Sequence, residues 1–384
     1  MEVKQIYGMM NSITDELLGK TDLVKEDLSN IVDVGTEIFN NASVDAYVRS
    51  LVNHIGRVIF VNRPYKGKVP SVLMDGWEYG SVLEKIRVEL PEATENESWE
   101  LTDGATYDPN IFYKPVVSAK FFNQKVTFEV PMSFTEMQVK QSFSNATQLN
   151  GFISMIQTAI EKSMTVKIDA LVMRTITNFI GETFYAEVPG GTYTSRTGLK
   201  AVNLLYMYNQ QYNKSLQAAD ALTDPDFIRY AGYIFGLYVD RLGTISTLFN
   251  IGATDKFTPP DMLHIVMLNE FTQAANIFLQ SDVFHNTLTQ LPDAETVPYW
   301  QASGDDYGFS DVSQIKITTA SGHDVTATGI LAVMFDRDAL GVCNLSRRVT
   351  TNYNPKAEFY NNWYKFDAGY FNDTNENFVV FYVA

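Results

Sequence analysis

The sequence of 384 residues has few of the residues that build metal or redox sites. It contains one cysteine, Cys343, and four histidines, His54, His264, His285 and His323. A single cysteine excludes an internal disulfide and a zinc site built from cysteines, and it fits a reducing compartment. The histidines are scattered and lack the spacing of a zinc motif. We therefore predict no metal site and no cofactor, and we interpret these five residues as core or surface residues.

Basic residues are in deficit. The chain has 29 Lys and Arg against 45 Asp and Glu, which gives a formal net charge of −16. A partner bound through its phosphates needs a Lys or Arg at each contact. The charge balance therefore disfavours specific nucleic-acid binding, and it suits a protein that lies beside nucleic acid without adhering to it.

Sequence motifs of common enzymes and long uncharged runs are absent as well. We find no G-x-S-x-G, no G-x-x-x-x-G-K-[ST] and no G-x-G-x-x-G. The N-terminus has no basic start followed by an unbroken apolar block, so we expect no secretory signal and synthesis in a cytoplasm. These absences favour a structural role and predict a protein that is not an enzyme.

One acidic pair keeps an enzymatic alternative open. Asp336 and Asp338, in the segment FDRD at the end of a predicted strand, would point to one face and would be able to bind a cation or serve as an acid/base pair. Arg337 between them, with Arg347 and Arg348 nearby, favours instead an ion-pair cluster at an interface between subunits.

The longest regular pattern runs from Leu149 to Ile180. Apolar residues recur there at three- and four-residue spacing, which is typical of one face of a helix. They are Leu149, Phe152, Ile153, Ile156, Ile160, Met164, Ile168, Leu171, Val172, Ile176 and Phe179. A helix of about thirty residues is roughly 45 Å long, so we predict a spine against which other elements pack. Charged residues such as Lys162 and Asp169 exclude a membrane span.

Two segments precede this helix. Residues 1 to about 35 have apolar residues at helical spacing without much bulk, and we interpret them as an arm that needs another surface to lie on. A helix is predicted from Val44 to Ile55, with Gly56 as its stop, followed by a buried strand at Arg57–Val61. Residues 44–67 thus open the first packed unit.

Residues 68–130 are predicted to form a long loop with β-strands at both ends. The flanking segments 82–90 and 125–130 alternate apolar and polar residues, as strands do. Residues 89–108 carry seven acids and no base, namely Glu89, Glu92, Glu95, Glu97, Glu100, Asp103 and Asp108. Such a long connection is either a solvated acidic loop or an extended β-arm whose charged tip docks on basic residues of another subunit.

The rest of the chain alternates helices and strands. Asp224 and Pro225 are predicted to cap and begin a helix that ends at Leu242, and Leu263–Leu268 reads as a strand. This alternation predicts an α/β or α+β unit in the region that follows the long helix. The last 56 residues, 329–384, return to strands rich in aromatic residues.

The C-terminal stretch carries a resemblance to a known family. In GILAVMFDRDALGVCNLSRRVTTNYNPKAEFYNNWYKFDAGYFNDTNENFVVFYVA, a strand, an Asp-Arg-Asp-Ala-Leu-Gly element, an arginine-bearing strand and an aromatic finish follow one another. This order resembles the major capsid proteins of tailed bacteriophages that infect Gram-positive bacteria, which have the Hong Kong 97-type fold. The order of elements extends the resemblance over nearly the whole chain.

The resemblance implies an α+β capsid fold with a defined layout. The N-terminal arm would be 1–43, and the extended β-hairpin, the E-loop, would be 68–130. The peripheral domain would comprise 44–67, 131–197 with the spine helix 149–180, and 329–384, and the axial domain would be 198–328. Pentamers and hexamers would form an icosahedral shell around double-stranded DNA in the host bacterial cytoplasm, with a scaffolding protein and a portal as partners.

The inter-subunit contact is predicted from charge. We expect the acidic tip to pair with basic side chains of an adjacent subunit. The candidate contact residues are Glu92, Glu95, Glu97, Glu100, Asp103, Arg337, Arg347 and Arg348. Two alternatives remain: another structural protein of the virion, such as a tail component, or an enzyme with a site around Asp336 and Asp338.

Overall fold

The structure is a computed structural model that describes residues 3–61, 68–74, 83–91, 93, 95, 110–188, 197–280, 291–301, 309–319 and 322–384. Its helices are α1 (Val3–Leu18), α2 (Ile31–Asn41), α3 (Val44–Val61), α4 (Glu136–Ser142), α5 (Ala146–Glu187), α6 (Leu204–Tyr212), α7 (Pro225–Leu242), α8 (Asn269–Gln280) and α9 (Phe309–Val312). Its strands are β1 (Leu73–Met74), β2 (Leu83–Val88), β3 (Val117–Phe122), β4 (Lys125–Thr135), β5 (Ala201–Asn203), β6 (Leu263–Leu268), β7 (Glu295–Val297), β8 (Ile315–Thr318), β9 (Asp324–Ala327), β10 (Ile330–Asp336), β11 (Leu340–Asn354), β12 (Phe359–Asn372) and β13 (Phe378–Tyr382).

The chain forms two compact units. The first comprises Met1–Glu78, Lys125–Arg174 and Val342–Gly369. The second comprises Tyr79–Gln124, Thr175–Gly341 and Tyr370–Ala384. Both mix helices and strands, as the sequence predicts.

The predicted spine helix is present and longer than expected. Helix α5 has 42 residues, because it starts just after Asn145, whose side chain accepts the backbone N–H of Gln148 at 2.8 Å, and continues past Ile180. Within α5, a side chain at Gly181 would lie 2.4 Å from the Ile317 side chain. Glycine there allows close contact with β8 and does not end the helix. The predicted apolar face is confirmed, since all its members except the half-buried Phe152 are buried.

The N-terminal helices pack on their own chain. Ile6, Met10 and Ile13 of α1 are fully buried, and the Tyr47 hydroxyl of α3 donates to Met10 Sδ at 3.8 Å. In α2, the Phe39 ring lies 5.2 Å from the Phe143 ring, centroid to centroid. The expectation that the N-terminal arm needs another surface to lie on is therefore not met for the residues described, because the first unit supplies that surface.

The predicted strand at Arg57–Val61 is wrong. Helix α3 continues through Gly56 to Val61, and its buried apolar residues Tyr47, Val48, Leu51, Val52 and Ile55 recur at three- and four-residue spacing before that point. A run of β-branched and aromatic residues favours a strand only weakly, and packing of α3 against α1 outweighs that preference.

A four-stranded sheet with the order β1-β11-β12-β4 supplies the strands of the first unit. The alternation predicted for residues 125–130 is confirmed, since Val126, Phe128 and Val130 turn toward the sheet's covered face while their neighbours are exposed. The Phe134 ring of β4 contacts Phe152 of α5 at 5.7 Å, so the helix packs on this sheet.

The second unit has a five-stranded sheet with the order β5-β13-β10-β6-β7. The Phe235 ring of α7 lies 5.6 Å from Phe271 of α8 and 4.8 Å from Phe381 of β13, so helices and sheet share one core. Helix α7 begins at Pro225 as predicted, and the Asp224 side chain accepts the N–H groups of the next turn at 2.8 and 3.0 Å. The predicted strand β6 also has its predicted bounds.

Two further expectations concern single features. Cys343 is buried, as predicted for a small apolar side chain. In the part of the chain that the structure describes, no helix is long and apolar enough to cross a membrane.

Candidate inter-subunit surface

The predicted long loop contains a two-stranded hairpin. Strands β2 and β3 pair antiparallel, with Leu83 opposite Phe122 and Val88 opposite Val117. The sequence pattern predicts strands at 82–90 and 125–130 as the two ends of the loop and does not predict β3. Strand β4 instead pairs with β12. Residues 123–124 interrupt the extended chain between β3 and β4, and the alternation of Val117, Ala119 and Phe121 was the signal that could have found β3.

One face of this hairpin is apolar and exposed. Because side chains alternate across a strand, Ile86 and Val88 share a face with Val117 and Phe121. These four side chains are 57–68% exposed. Exposed apolar residues continue along the chain beyond the strands, at Leu90, Ile111, Phe112, Tyr113 and Val116. Single exposed apolar residues are ordinary, whereas a continuous apolar face is typical of a surface that another protein covers.

The opposite face of the hairpin is attached to its own unit. Lys85 and Lys120 both bind the buried carboxylate of Asp373, with Nζ–O distances of 3.3 and 2.8 Å. The Phe122 ring packs on Phe371 at 5.1 Å. Burial alone would raise the pKa of Asp373, but the Lys120 hydrogen bond and the charges of both lysines outweigh burial, so the pKa lies below its ordinary value. The carboxylate is therefore ionised at neutral pH.

The predicted acidic tip is described at one position. Glu95 is exposed. Glu92, Glu97, Glu100 and Asp103 lie outside the described residues.

The three candidate arginines lie in different environments. Arg348 of β11 binds Asp367 of β12 in its own chain, with Nη1 2.8 Å from Oδ2. Arg347, the next residue on the strand, is half-buried. Arg337 is exposed in the turn after β10, where its backbone N–H donates to the Met262 carbonyl at 2.9 Å.

The acidic pair at the end of β10 does not form the predicted two-carboxylate face. Asp336 is buried and accepts hydrogen bonds from the Thr258 hydroxyl at 2.8 Å and from the Asp338 backbone N–H at 2.9 Å. Strand β10 ends at Asp336, so Asp338 lies in the following turn and the period of two does not apply. Among the described residues, no group of three His, Cys, Asp or Glu residues could hold a metal ion.

A scan against protein-family models matches residues 10–382 to the family described as Phi29-like phage major capsid protein. The chain belongs to this family. It is therefore a phage major capsid protein, a structural protein of the virion capsid that forms the shell with copies of itself. The recognition from sequence is confirmed, and the Hong Kong 97-type α+β fold class is confirmed with it.

Solved structures similar to this phi29-like capsid protein also come from phages. They include the capsid structure of Staphylococcus phage Andhra, at 10% identity over 84% of this chain and 86% of that chain, with a TM-score of 0.48. A chain from the structure of head fiber and inner core protein gp22 of native bacteriophage P68 matches at 9% identity over 84% and 86%, with a TM-score of 0.46. The mature capsid of bacteriophage PhiM1 matches at 8% identity over 84% and 89%, with a TM-score of 0.42. Such low identities and TM-scores add nothing to the family match. A search of the curated proteins found no match.

Proposed function

We propose that this major capsid protein assembles as pentamers and hexamers into a closed icosahedral shell around double-stranded DNA. The observation that carries the proposal is the hairpin β2–β3, which is attached to its own subunit by one face and leaves its apolar face bare. A subunit that buries this face needs a neighbouring subunit, and in a closed shell every subunit has such a neighbour.

In this proposal, the apolar face of the hairpin lies on a second copy of the chain. Ile86, Val88 and Phe121 are large side chains of the kind that fill the buried centre of an interface, while the acidic tip provides its charged rim. Arg337, which is exposed, is a candidate partner for the tip, as are Arg347 and Arg348. To do so, Arg348 would have to exchange or share its carboxylate partner Asp367.

The charge of the chain supports enclosure of DNA without specific binding. A net charge of −16 leaves few cations to hold phosphates, so a DNA molecule packed inside would not adhere strongly to the wall. Assembly in the host bacterial cytoplasm, with a separate scaffolding protein and a portal, completes the proposal. The boundaries assigned to the arm, the E-loop and the axial domain stay predictions.

Electron microscopy of negatively stained protein tests the proposal. The full chain would be expressed alone and together with the products of its neighbouring genes. Closed shells of uniform diameter are the expected result. Rings or tubes would favour a tail component instead, and monodisperse monomers under every condition would contradict assembly.

The acidic tip has its own test. Glu92, Glu95, Glu97 and Glu100 would be changed together to lysine, and the yield of shells compared with that of the unchanged chain. We expect assembly to fall sharply, since like charges placed across an interface cost several kcal/mol. Normal assembly of this variant would contradict a charged contact at the tip.

A further inference from the structure

The hairpin has an arrangement that two strands alone would not favour. Lys85 of β2 and Lys120 of β3 are direct cross-strand partners. Like charges placed directly opposite each other destabilise an antiparallel pair. The pairing of β2 with β3 therefore needs a negative charge at this position, and Asp373 provides it.

Asp373 is held rigidly by the turn that contains it. Its side chain is 4% exposed, and its backbone N–H donates to the Ala339 carbonyl at 2.6 Å. Its Oδ1 also accepts the N–H of Asn375 at 3.2 Å. The position of the carboxylate is thus also held by contacts that involve neither lysine.

Both lysines make further contacts in the same place. Lys85 Nζ donates to the Asp338 carbonyl and lies 5.0 Å from the centre of the Phe371 ring. Lys120 Nζ donates to the Thr374 hydroxyl at 3.3 Å. The two ammonium groups attach the hairpin to the turns at 337–339 and 373–377, and the Phe122 ring attaches it to Phe371 of β12.

We propose that Asp373 is the positioning residue of the hairpin: by binding Lys85 and Lys120 together, its carboxylate latches the hairpin to its own subunit with the apolar face exposed. Without this latch, the two strands repel each other and leave the subunit surface. The latch is a property of the single chain. Its consequence for assembly rests on the proposed function, because a hairpin without a fixed direction presents no defined face to a second copy.

Hydrogen exchange of the full-length, unassembled chain, read by mass spectrometry in peptides that cover 83–88 and 117–122, tests the latch. Asp373→Asn should speed exchange of these amides by about tenfold or more, since removing the buried carboxylate leaves Lys85 and Lys120 without their opposite charge. Amides of β10 should keep their slow exchange. Unchanged exchange in the hairpin would overturn the proposal.

Glu376→Gln is the matched control. Glu376 lies in the same turn, its side chain is 11% exposed, and its salt bridge, at 2.8 Å, is to Lys256, which lies outside the hairpin. Hairpin exchange should stay unchanged in this variant. An equal acceleration in both variants would show that any damage to the turn has this effect, and would overturn a specific role of Asp373.

A second variant decides the case in which Asp373→Asn unfolds the whole unit. Lys120→Met changes a side chain that is 39% exposed, so the unit should tolerate it. Because Lys120→Met also removes the repulsion from Lys85, it is combined with Asp373→Asn. Recovery of folding or of slow hairpin exchange in the double variant, relative to Asp373→Asn alone, would support the latch, and no recovery would overturn it. Shell yield is measured separately. If a variant has an open hairpin but assembles normally, the proposed latch still stands, and the proposed contact of the hairpin with a second copy is contradicted.

Discussion

Strand β10 and the β2–β3 hairpin both belong to the second unit, and both carry rows of large apolar side chains. Every residue of β10 is buried, because β13 and β6 flank it and helices cover the sheet. The hairpin forms a sheet of only two strands, and its apolar row is more than half exposed. Similar residues have thus been covered in one place and left bare in the other.

The difference separates what a subunit completes by itself from what it leaves to an assembly. A two-stranded sheet is marginally stable on its own in water. This hairpin is stabilised by ion pairs on one face, which fix it without covering the other face. Substitutions should therefore change the stability of the subunit in one region and the association of subunits in the other.

The largest effect on stability is expected in β10. Phe335 is fully buried, and its ring lies 5.8 Å from that of Phe378. Phe335→Ala should lower the free energy of unfolding by about 3–5 kcal/mol, through lost burial and the cavity left behind. Urea unfolding of the unassembled chain measures it. Phe112→Ala, at a side chain 84% exposed, is the matched control and should change stability by less than about 0.5 kcal/mol.

The N-terminal helices should behave as the core does. An added Cβ at Gly35 of α2 would lie 2.6 Å from the Phe143 ring. Gly35→Ala should therefore cost about 1–2 kcal/mol, since overpacking outweighs the gain in helix propensity. In α1, an added Cβ at Gly8 would meet no neighbouring atom within 4 Å. Gly8→Ala should therefore raise the free energy of unfolding by up to about 1 kcal/mol. Thermal unfolding of both variants compares them, and equal stabilisation would mean that α2 does not pack on its own chain.

Asp367 tests whether an ion pair within one chain contributes to the stability of the single subunit, as the core does. Burial alone would raise its pKa, but hydrogen bonds from Arg348, Ser346 and Thr127 lower it to about 2. A lowered pKa contributes stability above the unfolded value of 3.8, and this contribution is lost as the pH falls toward about 2. Asp367→Asn should cost about 1–2 kcal/mol at pH 7 and progressively less as the pH falls through this range.

Unfolding of Asp367→Asn at several pH values checks this prediction. A suitable control is Glu129→Gln, because the Glu129–Lys365 pair at 3.4 Å joins β12, the strand of Asp367, to β4 and is more exposed. It should change stability by about 0.5 kcal/mol or less. A cost for Asp367→Asn that stays constant with pH would contradict the ionised contact.

The sequence predicted elements whose signals are local. The cap at Asp224, the strand β6 and the buried face of α5 depend on residues a few positions apart, and the structure confirms them. The strand predicted at Arg57–Val61 failed because a short apolar run does not distinguish strand from helix, and tertiary packing decided.

The attachment of the hairpin had no local signal. Asp373 lies 288 residues from Lys85 and 253 from Lys120 along the chain. Only the register of β2 with β3, which requires that β3 be found, places the two lysines together. The apolar row of β2 was visible in the sequence, but its exposure was not, because alternation predicts two faces without saying which one is covered.

The smallest effect on stability is expected where the effect on assembly is greatest. Phe121→Ser removes a side chain that is 61% exposed, so the unfolding free energy of the subunit should change by less than about 0.5 kcal/mol. If the hairpin lies on a second copy, the same change deletes an apolar anchor from the centre of the interface, and shells should form poorly or not at all. Light scattering during assembly measures this directly. Phe257→Ser, at a ring 51% exposed outside the hairpin, is the control. Equal loss in both variants would remove the distinction between the hairpin and the rest of the surface, and normal assembly of Phe121→Ser would contradict the contact.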